Sequence, residues 1–277
     1  MPIFVTNREQ TSLTGAQETA LATLYGRALD SRARHPILRD ATAADVVRRL
    51  DYDFRRTRIN AVTAAGVALR ARVLDTWTAE FLRAHPDATV LHLACGLDTR
   101  AHRVAPPPTA RWFDLDLPDV IELRERLLPR PPGDHRTIAA SVTDPAWLDE
   151  IPGDRPAVAV FEGLTMYLHE RDVRSLVQRL TFHLPGGQLC FDVYGTLGIR
   201  LQKLVPAVRN AGATLHWGVD DPHAIEAWYD GLTLLDDLRS VDMPGLEELP
   251  RAGRVQMRIL KHLPGFRDVG RILRYRF

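Results

Sequence analysis

The run Ala157-Val-Ala-Val-Phe161 carries no polar side chain. A strand with one face in water alternates apolar and polar residues, whereas a strand covered on both faces reads as a continuous apolar run. Helices crossing over between parallel strands supply that cover. The neighbouring chain has the matching rhythm. Thr89-Val-Leu-His-Leu93, Arg111-Trp-Phe-Asp-Leu-Asp116, Arg136-Thr-Ile-Ala-Ala140 and Leu189-Cys-Phe-Asp-Val193 read as further strands. Between them Pro118 opens a helix at its favoured first position. Asp144 caps a short helix, and Glu170 to Leu184 is helical. The alternation predicts an α/β fold built on a doubly wound, mostly parallel sheet.

The flanks are less regular. Residues 196–231 read as helices and loops. Leu232 to Val241 fits a strand or a helix, and Gly270 to Phe277 alternates as a final strand at or near an edge. The first third is helical. Glu18 to Leu29 has apolar residues at helical spacing, Thr42-Ala-Ala-Asp45 resembles a capping box opening a helix to Leu50, and Thr57 to Ala84 is long and ends at His85-Pro86. No linker rich in Gly and Ser divides the chain. The expected organisation is one domain, with residues 1–85 a helical N-terminal extension or lid and residues 86–277 the α/β core.

Composition narrows the classes of function. Among 277 residues, 36 Lys and Arg balance 35 Asp and Glu, so no basic surface argues for nucleic acid or an anionic membrane. No run of 18 apolar residues suggests a membrane span. The start, Met1-Pro-Ile-Phe-Val-Thr-Asn-Arg-Glu, does not read as a signal peptide, so a cytoplasmic protein is expected. Cys95 and Cys190 are too few for a disulfide framework or a structural zinc site, and no metal is expected.

The chemistry concentrates where strands end. Leu91-His-Leu-Ala-Cys-Gly-Leu-Asp-Thr-Arg100 is a strand followed by a small-residue turn. Doubly wound folds bind nucleotides on such turns. A pyrophosphate-binding fingerprint would need three glycines, and only Gly96 is present, so a nucleoside without phosphate fits better. Asp114 and Asp116 close the second strand about 20 residues later, where a carboxylate accepts ribose hydroxyls. Alternation puts both on one face, and Asp116 is the better placed because it lies nearer the strand's end. Glu162, at the mouth of the fourth strand, needs a partner, which an amine-bearing ligand or an arginine would supply. Arg70, on the long helix, could clamp a carboxylate or simply be solvated.

Taken in order, Arg70-x-Arg-x-x-Asp75, Leu-x-Leu-x-x-Gly96-Leu-Asp-Thr-Arg100, Asp116-Leu-Pro-Asp-Val and Glu162-Gly-x-x-x-Tyr-Leu168 resemble the leucine carboxyl methyltransferase family. His85-Pro-Asp-Ala-Thr-Val and Leu215-His-Trp-Gly-Val-Asp-Asp-Pro222 point to its polyketide carboxyl O-methyltransferase branch. The resemblance implies a Rossmann-like class I methyltransferase with a seven-stranded sheet and S-adenosylmethionine (SAM) as cofactor. It implies that Arg70 holds the methionyl carboxylate, that Ala94 and Gly96 lie under the cofactor, and that Asp98 orders their loop. Asp116 and the adjoining Leu117 would meet the ribose, Ser141 and Val142 the adenine, and Glu162 with Gly163 the methionyl amine. Where Ala94 stands the family often has glycine; alanine is acceptable if its φ is negative.

The expected reaction is O-methylation of a small natural product, with the carboxylate of an aromatic polyketide favoured. A carboxylate is already ionised near pH 7, whereas a phenol would profit from a base. Tyr167, His169, His216 and His223 are the candidate bases, with no assignment among them. Tyr167, Trp217, Trp228 and Tyr229 are candidates for an aromatic acceptor pocket. The alternatives are methylation of a hydroxyl, methylation of a protein's C-terminal leucine, an NAD-dependent oxidoreductase, and a nucleoside-binding module without turnover.

Overall fold

The computed structural model describes residues 8–11 and 13–277. Met1 to Asn7, where most of the signal-peptide reading falls, lie outside the described residues. The elements begin with a short parallel pair, β1 (Glu9–Gln10) and β2 (Leu50–Asp51). Around this pair come α1 (Ala16–Ser31), α2 (Ala41–Arg49) and α3 (Ala61–Ala84). The alternating region follows as β3 (Thr89–Leu93), α4 (Arg100–Val104), β4 (Arg111–Asp116), α5 (Pro118–Leu127), β5 (Asp134–Ala139), β6 (Ala157–Phe161), α6 (Glu170–His183) and β7 (Gly187–Tyr194). The chain ends with α7 (Thr196–Arg200), α8 (Pro206–Asn210), β8 (Thr233–Arg239), α9 (Arg251–His262) and β9 (Gly270–Arg276).

Seven of the described strands form one sheet in the order β5-β4-β3-β6-β7-β9-β8. The first five are parallel, while β9 is antiparallel to both its neighbours. The closing strand therefore lies one in from the edge, and Leu232 to Val241 resolves as strand β8, the edge itself. The order reverses between β3 and β6. In doubly wound sheets that reversal opens the crevice where ligands bind.

The opening motif is buried as its sequence requires, and its side chains divide by parity. Ala157, Ala159 and Phe161 join the core beneath α6, with Val173, Leu176, Val177 and Leu180. Val158 and Val160 join the opposite core, with Leu69, Val73, Trp77 and Phe81 of α3. One helix on each face of the strand accounts for five consecutive apolar residues.

Several boundaries move for local reasons. The cap of α2 is Asp40, whose carboxylate accepts from the Ala43 N–H at 3.0 Å, so the capping box at Thr42 is not the start signal. Asn60 accepts from the Val62 and Thr63 N–H groups, both at 3.0 Å, so α3 opens at Ala61 and not at Thr57. Helix α9 carries no strong start signal and escapes the sequence reading. Among the described residues no helix is long and apolar enough to cross a membrane.

Candidate active site

At the reversal point lies a cavity of about 390 Å³, bounded by the ends of β3, β4, β5 and β6 and roofed by α1 and α3. Arg70, Ala94, Gly96, Asp98, Asp116 and Leu117 border it, as do Ser141, Val142, Glu162 and Gly163. All the cofactor-contact residues expected from the sequence thus share one cavity. Cys95 borders it too, but burial raises its thiol pKa well above the ordinary value, so it carries no thiolate chemistry.

The turn after β3 is the floor. The Cys95 N–H donates to the Leu115 carbonyl at 3.1 Å, which extends the ladder to β4. Gly96 has φ 50, and a Cβ there would stand 3.3 Å from that of Ala20 on α1. Ala94 also has positive φ, at 50, contrary to the expectation of negative φ. The turn tolerates alanine at an unfavourable angle, which for an L-residue costs roughly 1–2 kcal/mol. The loop beyond is pinned by Arg124, which donates to the carbonyls of Gly96 at 3.1 Å and Asp98 at 2.5 Å.

The two aspartates of β4 separate cleanly. Asp114 is fully buried, away from the cavity. Its carboxylate accepts from Trp112 Nε1 at 2.9 Å and Arg124 at 2.5 Å. Nitrogens of His92 and His135 lie 2.8 Å away. Burial pushes its pKa up, but Arg124 and the two imidazoles outweigh that and hold it well below the ordinary range. Burial likewise lowers the pKa of His92, so its ring is neutral and donates from Nδ1 to the ionised Asp114. Asp116 stands at the rim and accepts from the Gly96 and Leu117 N–H groups, both at 2.7 Å. Its burial raises its pKa. Asp116 can therefore present its remaining lone pairs to a ligand, whereas Asp114 is saturated by protein donors.

Glu162 and Arg70 form the third side. Arg70 Nε donates to Glu162 at 3.0 Å, and a terminal nitrogen donates to Asp192 at 2.8 Å. Asp192 also accepts from the Gly163 N–H at 2.6 Å. Arg100, fully buried, donates to the other oxygen of Glu162 at 2.6 Å. Burial raises the Glu162 pKa, but Arg70 and Arg100 together bring it below the ordinary value. Arg70 keeps unused N–H bonds on its terminal nitrogens. Glu162 thus has the arginine partner that was its alternative, whereas Arg70 is ion-paired and not simply solvated, and both still border the cavity.

Sequence reasoning gave the supports no role, although Asp75 and Arg100 stand in the motifs it quoted. Asp192, Asp75, Arg100 and Arg103 surround the site residues, yet Arg70 and Asp192 are 122 positions apart. It expected a lid from residues 1–85 but named none of the roof residues, Gln17, Thr19, Ala20 and Thr23 of α1, that border the cavity. A small apolar cluster of Met166, Val208 and Leu215, joined by Tyr167 and Tyr194, makes the remaining wall.

The acceptor-side candidates divide. Tyr167 borders the cavity and donates to Thr19 Oγ1 at 3.1 Å, with its pKa pushed up to about 12, mainly by burial. His169 and His216 are exposed, pack on each other at 4.3 Å between centroids, and lie outside the cavity lining. His223 is exposed and sits 2.7 Å from Glu226. Trp217 and Trp228 pack together at 5.6 Å in the core beneath α6, with Tyr229 against them. None of the three lines the cavity, so the proposed aromatic pocket keeps only Tyr167.

Five parallel strands followed by an inserted antiparallel strand, with the crevice at the reversal, define the class I SAM-dependent methyltransferase fold. A solved structure from Thermobifida fusca, a protein with a provisional methyltransferase assignment, shares it with a TM-score of 0.56. At 19% identity, covering 91% of this chain and 93% of that one, the likeness speaks to the fold alone. The family model for leucine carboxyl methyltransferase matches residues 20–181. The chain is 45% identical to the tetracenomycin polyketide synthesis O-methyltransferase TcmP of Streptomyces glaucescens, over 97% of this chain and 99% of that protein. It is 37% identical to the SAM-dependent methyltransferase dpfgK of Gibberella zeae, over 82% and 83% of the two. The chain belongs to the leucine carboxyl methyltransferase family and is a SAM-dependent methyltransferase. Among the alternatives, the oxidoreductase reading falls with this membership.

Proposed function

We propose that the enzyme methylates a carboxylate on a flat aromatic natural product of the polyketide type. The observation that carries this is the chemistry of the cavity wall. Among the described residues, His92 is the imidazole that borders the cavity, and it is buried and committed to Asp114. Tyr167 is a poor base with its pKa near 12. With Asp98 and Glu162 held by arginines and Asp116 assigned to the ribose, the wall offers no free imidazole as a base, which suits a nucleophile that is already an anion at neutral pH, as a carboxylate is and a phenol is not. The tetracenomycin relative, named for a polyketide, supports the acceptor class. The apolar side formed by Met166, Val208 and Leu215 suits a flat, apolar body.

SAM supplies an electrophilic methyl on a sulfonium. The chain's own residues hold and align the reactants. Asp116 takes the ribose hydroxyls with its free lone pairs, and Leu117 packs beside them. Ser141 and Val142 face the adenine, and the turn of Ala94, Gly96 and Asp98 lies beneath. Arg70 offers its unused N–H bonds to the methionyl carboxylate, and Glu162 with Gly163 receives the amino group. In the transfer one C–S bond breaks with its electrons on sulfur and one C–O bond forms, so no proton has to move. The enzyme's contribution is alignment and exclusion of water. Residues 1–85 act in part as a lid, with α1 closing over the cofactor.

The test is to incubate the enzyme with SAM and anthracene-2-carboxylate or a related aromatic acid, then treat the product with mild alkali. The expected product is a methyl ester that alkali cleaves. Methyl ethers that survive alkali, formed on hydroxylated acids in preference to esters, would overturn the carboxyl assignment while keeping the enzyme class.

A further inference from the structure

The ion pairs behind the cofactor end of the cavity form one connected chain. Asp192 pairs with Arg70 at 2.8 Å, and Arg70 with Glu162 at 2.9 Å. Glu162 pairs with Arg100 at 2.6 Å, and Arg100 with Asp75 at 2.7 Å and Asp98 at 3.4 Å. Arg103 joins Asp75 at 2.6 Å, Asp98 at 2.7 Å and Asp40 at 3.1 Å. Arg27 closes the chain on Asp40 at 3.3 Å. Four guanidiniums thus face five carboxylates, all of them mostly buried.

The neighbouring charges do not restore the balance. Arg124 is matched by Asp114, His92 is neutral, and Asp116 adds a further negative charge at the rim. Asp192, at the end of the chain, is 3% exposed, and its partner among the described residues, Arg70, is shared with Glu162. Burial raises its pKa, as befits a carboxylate short of positive charge. An excess negative charge in a poorly hydrated place is costly until a cation arrives.

The reaction changes the ligand's net charge by one unit. SAM carries a sulfonium, an ammonium and a carboxylate, for one net positive charge. Its product, S-adenosylhomocysteine (SAH), has a neutral thioether and no net charge. We propose that the one-carboxylate excess, ending on Asp192 beside Arg70, is a specificity device that favours the cationic sulfonium cofactor over the neutral product. The inference rests on the cofactor reading of the cavity. It adds a function for Asp192 and Asp75, which lie behind the cavity lining: the network holds the charged cofactor and loosens its grip once the methyl has left.

Isothermal titration of SAM and of SAH into the wild type, Asp192→Asn and Asp75→Asn tests it, with thermal melting to confirm folding. Any distortion of Arg70 acts on the methionyl end that both ligands share, so it cancels in the ratio of their affinities. The preference for SAM relative to SAH is expected to fall at least about fivefold in Asp192→Asn. Asp75→Asn removes the same charge from farther away and is expected to lower the ratio in the same direction by a smaller factor. Equal weakening of both ligands, or an unchanged ratio, would overturn the proposal. If Asp192→Asn does not fold, an unchanged ratio in Asp75→Asn does so. A wild type that binds neither ligand would bring down the cofactor reading itself, a result distinct from an insensitive ratio.

Discussion

Asp114→Ala is expected to destabilise the protein by about 3–5 kcal/mol, the range for removing one partner of a buried ion pair. The carboxylate accepts from Arg124 and Trp112 and pairs with His92 and His135, all in the interior. Without it the Arg124 charge is left unpaired, and Trp112, His92 and His135 lose their shared partner. Arg124 also holds the carbonyls of Gly96 and Asp98, so the loop under the cofactor should loosen with it. Urea unfolding measures the effect, with Asp116→Ala as the control at the rim, expected to cost under about 1 kcal/mol. The pH dependence follows from the sign of the shift. Asp114 has a folded-state pKa below its unfolded value, so its contribution is complete above the unfolded value near ~3.9 and fades as pH falls through the folded one. The gap between wild type and variant should therefore hold constant from neutral pH to about 5 and narrow only in stronger acid. A variant as stable as the wild type at pH 7 would contradict the account.

Glu162→Gln is expected to weaken SAM binding at least about 100-fold, or roughly 2.7 kcal/mol. The carboxylate receives Arg70 on one oxygen and Arg100 on the other. A glutamine amide offers one acceptor oxygen and turns a donor NH₂ toward a guanidinium. It also removes the negative charge that would meet the cofactor's ammonium, so both ligand and framework lose a partner. The loss should appear in the dissociation constant and in kcat/KM alike. A variant that binds SAM within about threefold of the wild type would remove Glu162 from the cofactor site.

What the sequence makes legible is local. Ala157 to Phe161 announces a doubly covered strand because each residue's burial is written in its own side chain. Gly96 and Asp116 are legible because a strand's end and the turn after it are set within a few residues. The supports are not legible for the opposite reason. Arg70 could be solvated or functional until Glu162 and Asp192 are brought beside it from 92 and 122 positions away. The roof shows the same limit: the apolar spacing of α1 says which face is hidden and not that it covers a cofactor cavity. Trp217 and Trp228 show that a buried aromatic pair and a pocket lining have the same composition. Ala94 shows that a residue's type does not fix its backbone angle when the surrounding packing imposes another.

Calorimetric titration of SAH into the wild type and Asp116→Ala joins the cofactor to the acid at the end of β4 in one experiment. Binding near the micromolar range is expected, with at least a tenfold loss in the variant, about 1.4 kcal/mol. Binding that the substitution leaves untouched would contradict the assigned ribose contact, and a wild type with no affinity for SAH would contradict the cofactor site as a whole.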